Sequence, residues 1–579
     1  MFKIFKRFYQ FIFQYKKAFI IFSLVLVVAA VLENLNPYFY KLLVDSAPSR
    51  NYPDLITILV LFIGVKISSN FMNALTFYLG DKVLIPAARD ARIAVFRYIQ
   101  DLDFAFHVNK NTGSLISAFK RGDGAFFDLF HDIHHNIIRT IVSLMVVLFF
   151  FSRVSTSIAW LLLAVFVGNV FLSWQLIKVN MKARKAFNKS EDLVSGIITD
   201  NLINYETVKF FAQEKREEKR LTIEFQDWFA KIWRYANSFR LMDVGVGSLA
   251  NLGALAVLWI VVKRLAEGKI GAGDFVMVVS FMTGFYYQLS GILYRLRDIA
   301  KHYVDIDRYF SILDEPVLVS DPSIPAAVDK IRGEIGFEDV DFAYPDSQEM
   351  VIKDISLHIN PGESVAFVGR SGVGKTTIIK LLLRFYDVGQ GTITVDGIDI
   401  RKFTKSQLRS FIGIVPQEPI LFNNTIGFNI GYGKENVSLE KIIKVAKLAN
   451  LHDFVENLPE KYDTEVGERG IKLSGGQKQR LAIARMLLID PQIIIFDEAT
   501  SNLDSESERL IQKALWEVAK DRTVLIIAHR FSTVRKAQRI IVMDEGRIVE
   551  MGTHEDLVGK KKGLYQYLWQ LQTKGELGE

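Results

Sequence analysis

A chain of 579 residues exceeds what one hydrophobic core organises, so at least two domains are expected. It contains no cysteine, which excludes disulfides, thiolate-bound zinc and thiol nucleophiles together. The net charge of +7 does not point to nucleic acid, because Lys and Arg gather beside apolar runs, where membrane proteins carry their cytosolic positive charge.

In chain order, apolar runs long enough to cross about 30 Å of hydrocarbon, about 20 residues each, fall near 18–44, 54–79, 132–152, 156–177, 244–263 and 272–293. Six spans predict an all-α membrane domain over 1–313 with both termini in the cytosol. Loop charge gives the same orientation. Lys3, Lys6, Arg7, Lys16 and Lys17 precede the first span, while the turn from Ala47 to Pro53 holds only Arg50. The turn holding Lys263, Arg264 and Lys269 is an exception. A cleaved signal peptide is the lesser reading of this start, because the first apolar run reaches Leu43, past the usual signal length, and five further spans leave no need for a separate export signal.

Residues 178–240 contain no Pro and only Gly196, and keep helical apolar spacing between Lys, Arg and Glu. The fourth and fifth helices are therefore expected to run about 45 Å into the cytosol. Short helices at the arm tips, Asn109 to Leu115 and Ile203 to Phe211, are expected to meet a soluble domain. Pro316, Pro322 and Pro325 mark 314–333 as a linker, and an α/β domain follows over 334–579.

That domain opens with an apolar strand, Ser364 to Val368, then Gly369, Arg370, Ser371, Gly372, Val373, Gly374, Lys375, Thr376 and Thr377, then a helical run. This is a phosphate-binding loop in its proper strand-to-helix context. Its glycines aim amides inward, Lys375 meets the β/γ-phosphates of ATP and Thr376 meets Mg²⁺. The strand Ile493 to Phe496 ends in Asp497 and Glu498. Asp497 is placed to hold Mg²⁺, and Glu498 to polarise the attacking water as general base. Leu473, Ser474, Gly475, Gly476 and Gln477 precede another helical run and offer a second set of amides at a helix start. Two phosphate-binding surfaces exceed what one ATP needs, which points to pairing of two domains.

These motifs resemble those of the ATP-binding cassette transporters, and the likeness covers nearly the whole chain. The resemblance implies that Tyr344 stacks on adenine, Gln417 contacts Mg²⁺ and reports to the membrane domain, and His529 contacts the γ-phosphate. It also implies that Ser474 to Gln477 grip ATP held by a partner subunit, with Ser501 to Asp504 crossing between the sites. A membrane half followed by a cassette in one chain is similar to exporter half-transporters, and Thr464 to Gly470 resembles their loop that meets the arms. The expected assembly is a homodimer, with a heterodimer as the alternative, multi-pass in the plasma or inner membrane.

Cargo is less legible. Glu33 lies inside the first span, where an acid needs a cavity or a partner. Tyr286, Tyr287, Gln288, Tyr294 and Arg295 put aromatic and polar groups near the cytosolic half of the sixth, which suits an amphipathic or hydrophobic cargo such as a lipid or drug-like molecule. Asn204 to Phe211 resembles the branch that exports heavy-metal or thiol-conjugate cargo, including glutathione conjugates, and this is the alternative. An ATP-gated channel is the remote third reading.

Overall fold

The computed structural model describes residues 2–576 apart from 50, 110–111, 346, 348, 468–469, 498–508, 510–511, 513–515 and 528–530. Within its helices, the side chains of residues 2, 109, 112–114, 117, 285–290, 292–294, 297, 300, 531–532 and 573–576 are also outside the description. The chain forms two compact units, one of Met1–Asp101 with Asn111–Glu315, the other of Leu102–Lys110 with Pro316–Glu579.

The first unit is helical: α1 (Phe2–Ile12), α2 (Lys16–Glu33), α3 (Asn36–Ser46), α4 (Tyr52–Asp101), then α6 (Thr112–Phe130), α7 (Arg139–Val154), α8 (Thr156–Ile203), α9 (Tyr205–Phe210), α10 (Glu214–Ala266) and α11 (Ala272–Ser311). The intervening α5 (Phe104–Asn109) belongs to the second unit. Among the described residues, five helical stretches are long and apolar enough to cross a membrane, and Ala272–Gly284 is a shorter apolar one. Along α4 the exposed Ile56, Val60, Ile63, Ile67 and Phe71 recur every three or four residues, a stripe that only lipid or another apolar surface can cover. At 53 residues, α10 is about 80 Å long.

Three details depart from expectation. The first apolar run is broken between α2 and α3. Asn34 turns its Nδ2 onto the Ala30 carbonyl at 2.7 Å and Ser143 Oγ at 2.8 Å, and Pro37 sits in the first turn of α3. The start of the third span is π-helical over His131–Ile138. The short helix after α4 is α5, which ends where 109–115 was expected to begin.

Helices α8 and α10 pack closely because small residues let them approach. Gly253 faces the methyls of Val165, and buried Asn180 donates to Ser238 Oγ at 2.8 Å. Helix α1 buries Ile4, Phe8 and Ile12, one per turn, while Lys3 and Arg7 bind Asp314.

The second unit is built on two sheets. Strands β1 (Ile335–Ala343), β2 (Met350–Ile359), β4 (Gln390–Val395) and β5 (Ile398–Asp399) form an antiparallel sheet in the order β2-β1-β4-β5. Strands β3 (Ser364–Val368), β6 (Ile412–Val415), β7 (Ile493–Asp497), β8 (Thr523–Ile527), β9 (Arg539–Asp544) and β10 (Arg547–Gly552) form the other, ordered β10-β9-β3-β8-β7-β6. All its neighbours are parallel except β10 and β9. β3 and β8 are buried at every residue, as strands covered on both faces must be, and their side chains divide between the two hydrophobic cores.

Candidate nucleotide-binding site

Parallel strands deliver their carboxyl ends to one edge, and the register shows which residues arrive together. Phe367 of β3 and Asp497 of β7 both pair with Ile527 of β8, which lies between them, so the strand ends are level and about 10 Å apart. Gln417 follows the end of β6 by two residues, and β6 is paired with β7 through Val415 and Phe496. The loop after β3 therefore shares its edge with Asp497 and Gln417.

The loop itself is set by two glycines. A Cβ on Gly369 would come within 2.3 Å of the Met543 carbonyl. Gly374 has φ +104°, and a Cβ there would come within 2.7 Å of Ile352. Helix α12 (Lys375–Leu382) starts directly after, so its free amides point into the loop. Lys375 is buried and donates from Nζ to the carbonyls of Gly369 and Arg370, each at 2.8 Å, which holds the ammonium over the loop. Arg370, Ser371, Gly372 and Thr376 are exposed, Val373 is half-buried, and Thr377 is buried.

Tyr344, just past β1, donates or accepts a 3.0 Å hydrogen bond with Thr377 Oγ1. Its ring meets Phe342 and Tyr386 edge-on, at 5.1 and 5.3 Å. Ser474 is the N-cap of the helix Gly475–Ile489. Its Oγ accepts from the Gln477 amide at 3.3 Å, and Gln477 Oε1 accepts from the Ser474 amide at 2.8 Å. This reciprocal box fixes the helix start with Ser474 and Gly475 exposed and Gly476 buried. Glu498, Ser501, Asn502, Leu503, Asp504 and His529 lie outside the described residues.

The family model described as "ABC transporter" matches residues 352–501, and "ABC transporter transmembrane region" matches 19–289. ATP-binding cassette sub-family B member 6 of Mesocricetus auratus is 36% identical over 94% of this chain, which spans 66% of that protein's length. An ATM1-type heavy metal exporter of Novosphingobium aromaticivorans is 34% identical over 93% of this chain and 89% of its own. The solved structure of a bacterial Atm1-family ABC exporter with ATP bound has a TM-score of 0.87 and 32% identity, covering 96% of this chain and 99% of that one. The chain belongs to the ABC transporter family.

Its architecture is that of an exporter-type half-transporter, an integral membrane protein with a transmembrane region followed by an ATP-binding cassette. Half-transporters of this family generally dimerise. In the membrane unit of this ABC transporter, Glu33 at the end of α2 forms an ion pair with Arg139 at the start of α7, and Arg139 also reaches Asn73 Oδ1 of α4 at 3.0 Å. Arg295 is half-buried on α11, within electrostatic range of Asp132 and Arg139. Tyr286, Tyr287, Gln288 and Tyr294 lie on α11 too, with side chains outside the description.

Sequence reasoning passed over Arg139, Asn73, Phe385 and Tyr386. The first two carried a signal, since polar groups inside apolar runs need partners. Phe385 and Tyr386 follow α12 with no motif to mark them. Arg409 sits over the Phe385 ring at 4.8 Å and donates to the carbonyls of Leu383 and Arg384, and its burial pushes the guanidinium below its ordinary value.

Proposed function

We propose that two identical copies of this chain form an exporter that hydrolyses ATP at two shared sites and moves a charged thiol conjugate or heavy-metal complex out of the cytosol. In each site, residues Gly369 to Thr377 of one copy bind the phosphates, Lys375 meets their outer charge, and Tyr344 stacks on adenine. Ser474 to Gln477 of the other copy close over the γ-phosphate, so ATP joins the cassettes through charge-assisted hydrogen bonds from both sides.

Glu498 takes a proton from water as its oxygen bonds to the γ-phosphorus, and the bond to the β-phosphate oxygen breaks to leave ADP and phosphate. His529 steadies the γ-phosphate, Gln417 relays its presence, and Asp504 links the two sites. The donor set suits Mg²⁺: the exposed Thr376 hydroxyl, Gln417 and Asp497 share one sheet edge, leaving room for phosphate oxygens and water. When bound, that ion neutralises charge developing between the β- and γ-phosphates. Loss of the γ-phosphate releases the pair, so each nucleotide state favours a different membrane state. The charge of the loops supports cytosolic termini and a plasma or inner membrane location.

For cargo, the carrying observation is the ionisable cluster in the membrane unit. Each such charge costs about 2.5–3.5 kcal/mol in mid-bilayer, so Glu33, Arg139 and Arg295 belong on a polar path. A cargo bearing carboxylates and an ammonium can exchange partners with these groups, which a lipid tail cannot. The name of the Novosphingobium relative, a heavy metal exporter, supports the same class over the lipid or drug-like cargo first expected.

The test is ATPase stimulation in liposomes by glutathione disulfide and a metal–glutathione complex, against lipids and amphipathic drugs. The conjugates should stimulate, and Arg139→Gln should raise their half-maximal concentration about 10-fold, the loss of one charged contact. Stimulation by drugs alone, indifferent to Arg139→Gln, would return the cargo to the amphipathic class.

A further inference from the structure

The third span opens with His131, His134 and His135, a density of imidazoles that core packing alone does not call for. They lie on the π-helical stretch His131–Ile138, a backbone form that recurs at functional sites. The three rings differ in what holds them. His134 is a satisfied core residue: its Nδ1 lies 2.9 Å from the Phe130 carbonyl, and the rings of Tyr9, Phe19, Phe22 and Phe130 surround it. His135 is buried too and lies flat on Phe77, with centroids 4.6 Å apart, but its Nε2 has no hydrogen-bond partner. A buried polar group left unmet costs about 1–3 kcal/mol, so this nitrogen calls for a ligand.

His131 is half-buried one turn earlier, and its ring centroid is 5.2 Å from that of His135. A tetrahedral ion with imidazole nitrogens at about 2.0–2.1 Å places two ring centroids about 5 Å apart, so the spacing suits one ion shared by the pair. Among the described residues no third His, Asp or Glu completes a metal-binding group. The pair therefore offers two ligands to an ion that brings the rest with it.

His131, His135, Arg139 and Ser143 follow at intervals of four and so run along one side of the span. Arg139 binds Glu33 and Asn73, and Phe77 beneath His135 is one turn beyond Asn73 on α4. The two histidines thus continue, by one turn and then two, the charged cluster assigned to the cargo path.

We propose that His131 and His135 ligate the metal of a metal–thiolate cargo during its passage. This rests on the reading of the cargo as a thiol conjugate or heavy-metal complex, and adds a site for the metal itself. An ion held by two thiolates has open positions when its geometry is tetrahedral, and two imidazoles fill them while both metal–sulfur bonds stay intact. Carboxylates of the same cargo meet Arg139. The chain has no cysteine, so nothing in it competes with the cargo's thiolates, and two neutral nitrogens are ligands that a transported ion can leave.

The test uses the full-length protein in nanodiscs, with Zn²⁺ in excess glutathione and, separately, with glutathione disulfide, which carries the same charged groups and no metal. His131→Gln combined with His135→Phe keeps a ring stacked on Phe77. This double variant should raise the half-maximal concentration of the zinc complex for ATPase stimulation about 10-fold or more, since losing even an outer-shell partner of a metal costs that much. His131→Gln alone, at the half-buried position, should shift it in the same direction. The disulfide should keep its half-maximal concentration in both variants. Zinc X-ray absorption of the bound complex should show imidazole beside sulfur in the unaltered protein and sulfur alone in the double variant. Sulfur alone in the unaltered protein, an equal shift for the zinc complex and the disulfide, or stimulation by the disulfide only would overturn the ligand role and leave the thiol-conjugate cargo standing. Stimulation by neither would remove that cargo, and the inference with it.

Discussion

The cassette and the membrane unit carry their chemistry in different ways. In the cassette the backbone does most of it: the amides after Gly374, the cap at Ser474 and the level ends of β3 and β7 all follow from short local sequence. In the membrane unit the chemistry belongs to side chains that meet across helices, Glu33 with Arg139 and Asp132 with His302 at 3.1 Å, far apart in the chain. Local geometry constrains neighbouring residues and so leaves a motif. A pair across helices constrains two residues whose spacing can be almost anything.

The strongest way to break this comparison is to move the chemical step. If the cassette alone sets it, Glu498→Gln should lower the rate of phosphate release about 10²- to 10⁴-fold, the span of general-base contributions. ATP binding should survive, and size-exclusion chromatography with ATP should show the closed pair persisting. Arg139→Gln should instead change how the rate depends on cargo. Near-normal turnover in Glu498→Gln would take the base away from that residue and with it the claim that the cassette motif localises the reaction.

The same division explains what was legible beforehand. The phosphate loop and the strand leading to Asp497 could be placed because a buried strand, a glycine turn and a helix start each demand particular residues. The long helices were legible from hydropathy and from the lack of Pro and Gly along 178–240. The break at Asn34 was not, although Pro37 hinted at it, because the turn depends on Ser143 of another helix. The position of α5 was missed for a similar reason. Its place is fixed by Asp103 binding amides more than 200 residues away, and no local pattern records that. Glu33 was marked as needing a partner, but only the packing of α2 against α7 names Arg139.

A smaller effect sharpens the contrast through glycine. Gly391 of β4 has φ +80°, and an added Cβ would lie 2.3 Å from the carbonyls of Glu338 and Asp339, backbone that cannot step aside. Gly391→Ala should therefore cost about 2–3 kcal/mol and lower the unfolding temperature of the cassette by about 4–10 °C. A Cβ added to Gly253 of α10 would lie 2.6 and 2.7 Å from the Val165 methyls, side-chain atoms on a neighbouring helix that can shift. Gly253→Ala should cost about 1–2 kcal/mol. Loss of nucleotide binding on heating follows the first, and helical circular dichroism follows the second. A larger penalty at Gly253 would mean that the helix interface is the more rigidly specified of the two.

The smallest effect sits where α1 meets the end of α11. Arg7 donates to Asp314 at 2.6 and 2.9 Å, and Lys3 adds a contact at 2.9 Å. The hydrogen bonds from Arg7, then those from Lys3, hold the Asp314 carboxyl below its ordinary value of 3.8. A carboxylate depressed in the folded state stabilises above its unfolded value, and that contribution fades as pH falls from about 4 through the lower folded value. The Asp314 side chain is 39% exposed, so water screens the pair and Asp314→Asn should cost less than about 1 kcal/mol at neutral pH. The difference in unfolding temperature from the unaltered protein should shrink in high salt and vanish in acid. α1 should stay docked throughout, since Ile4, Phe8 and Ile12 remain buried and Arg7 still donates to the Phe310 carbonyl at 2.8 Å. A penalty that survives at low pH would show that Asp314 acts through its shape in the turn rather than through its charge.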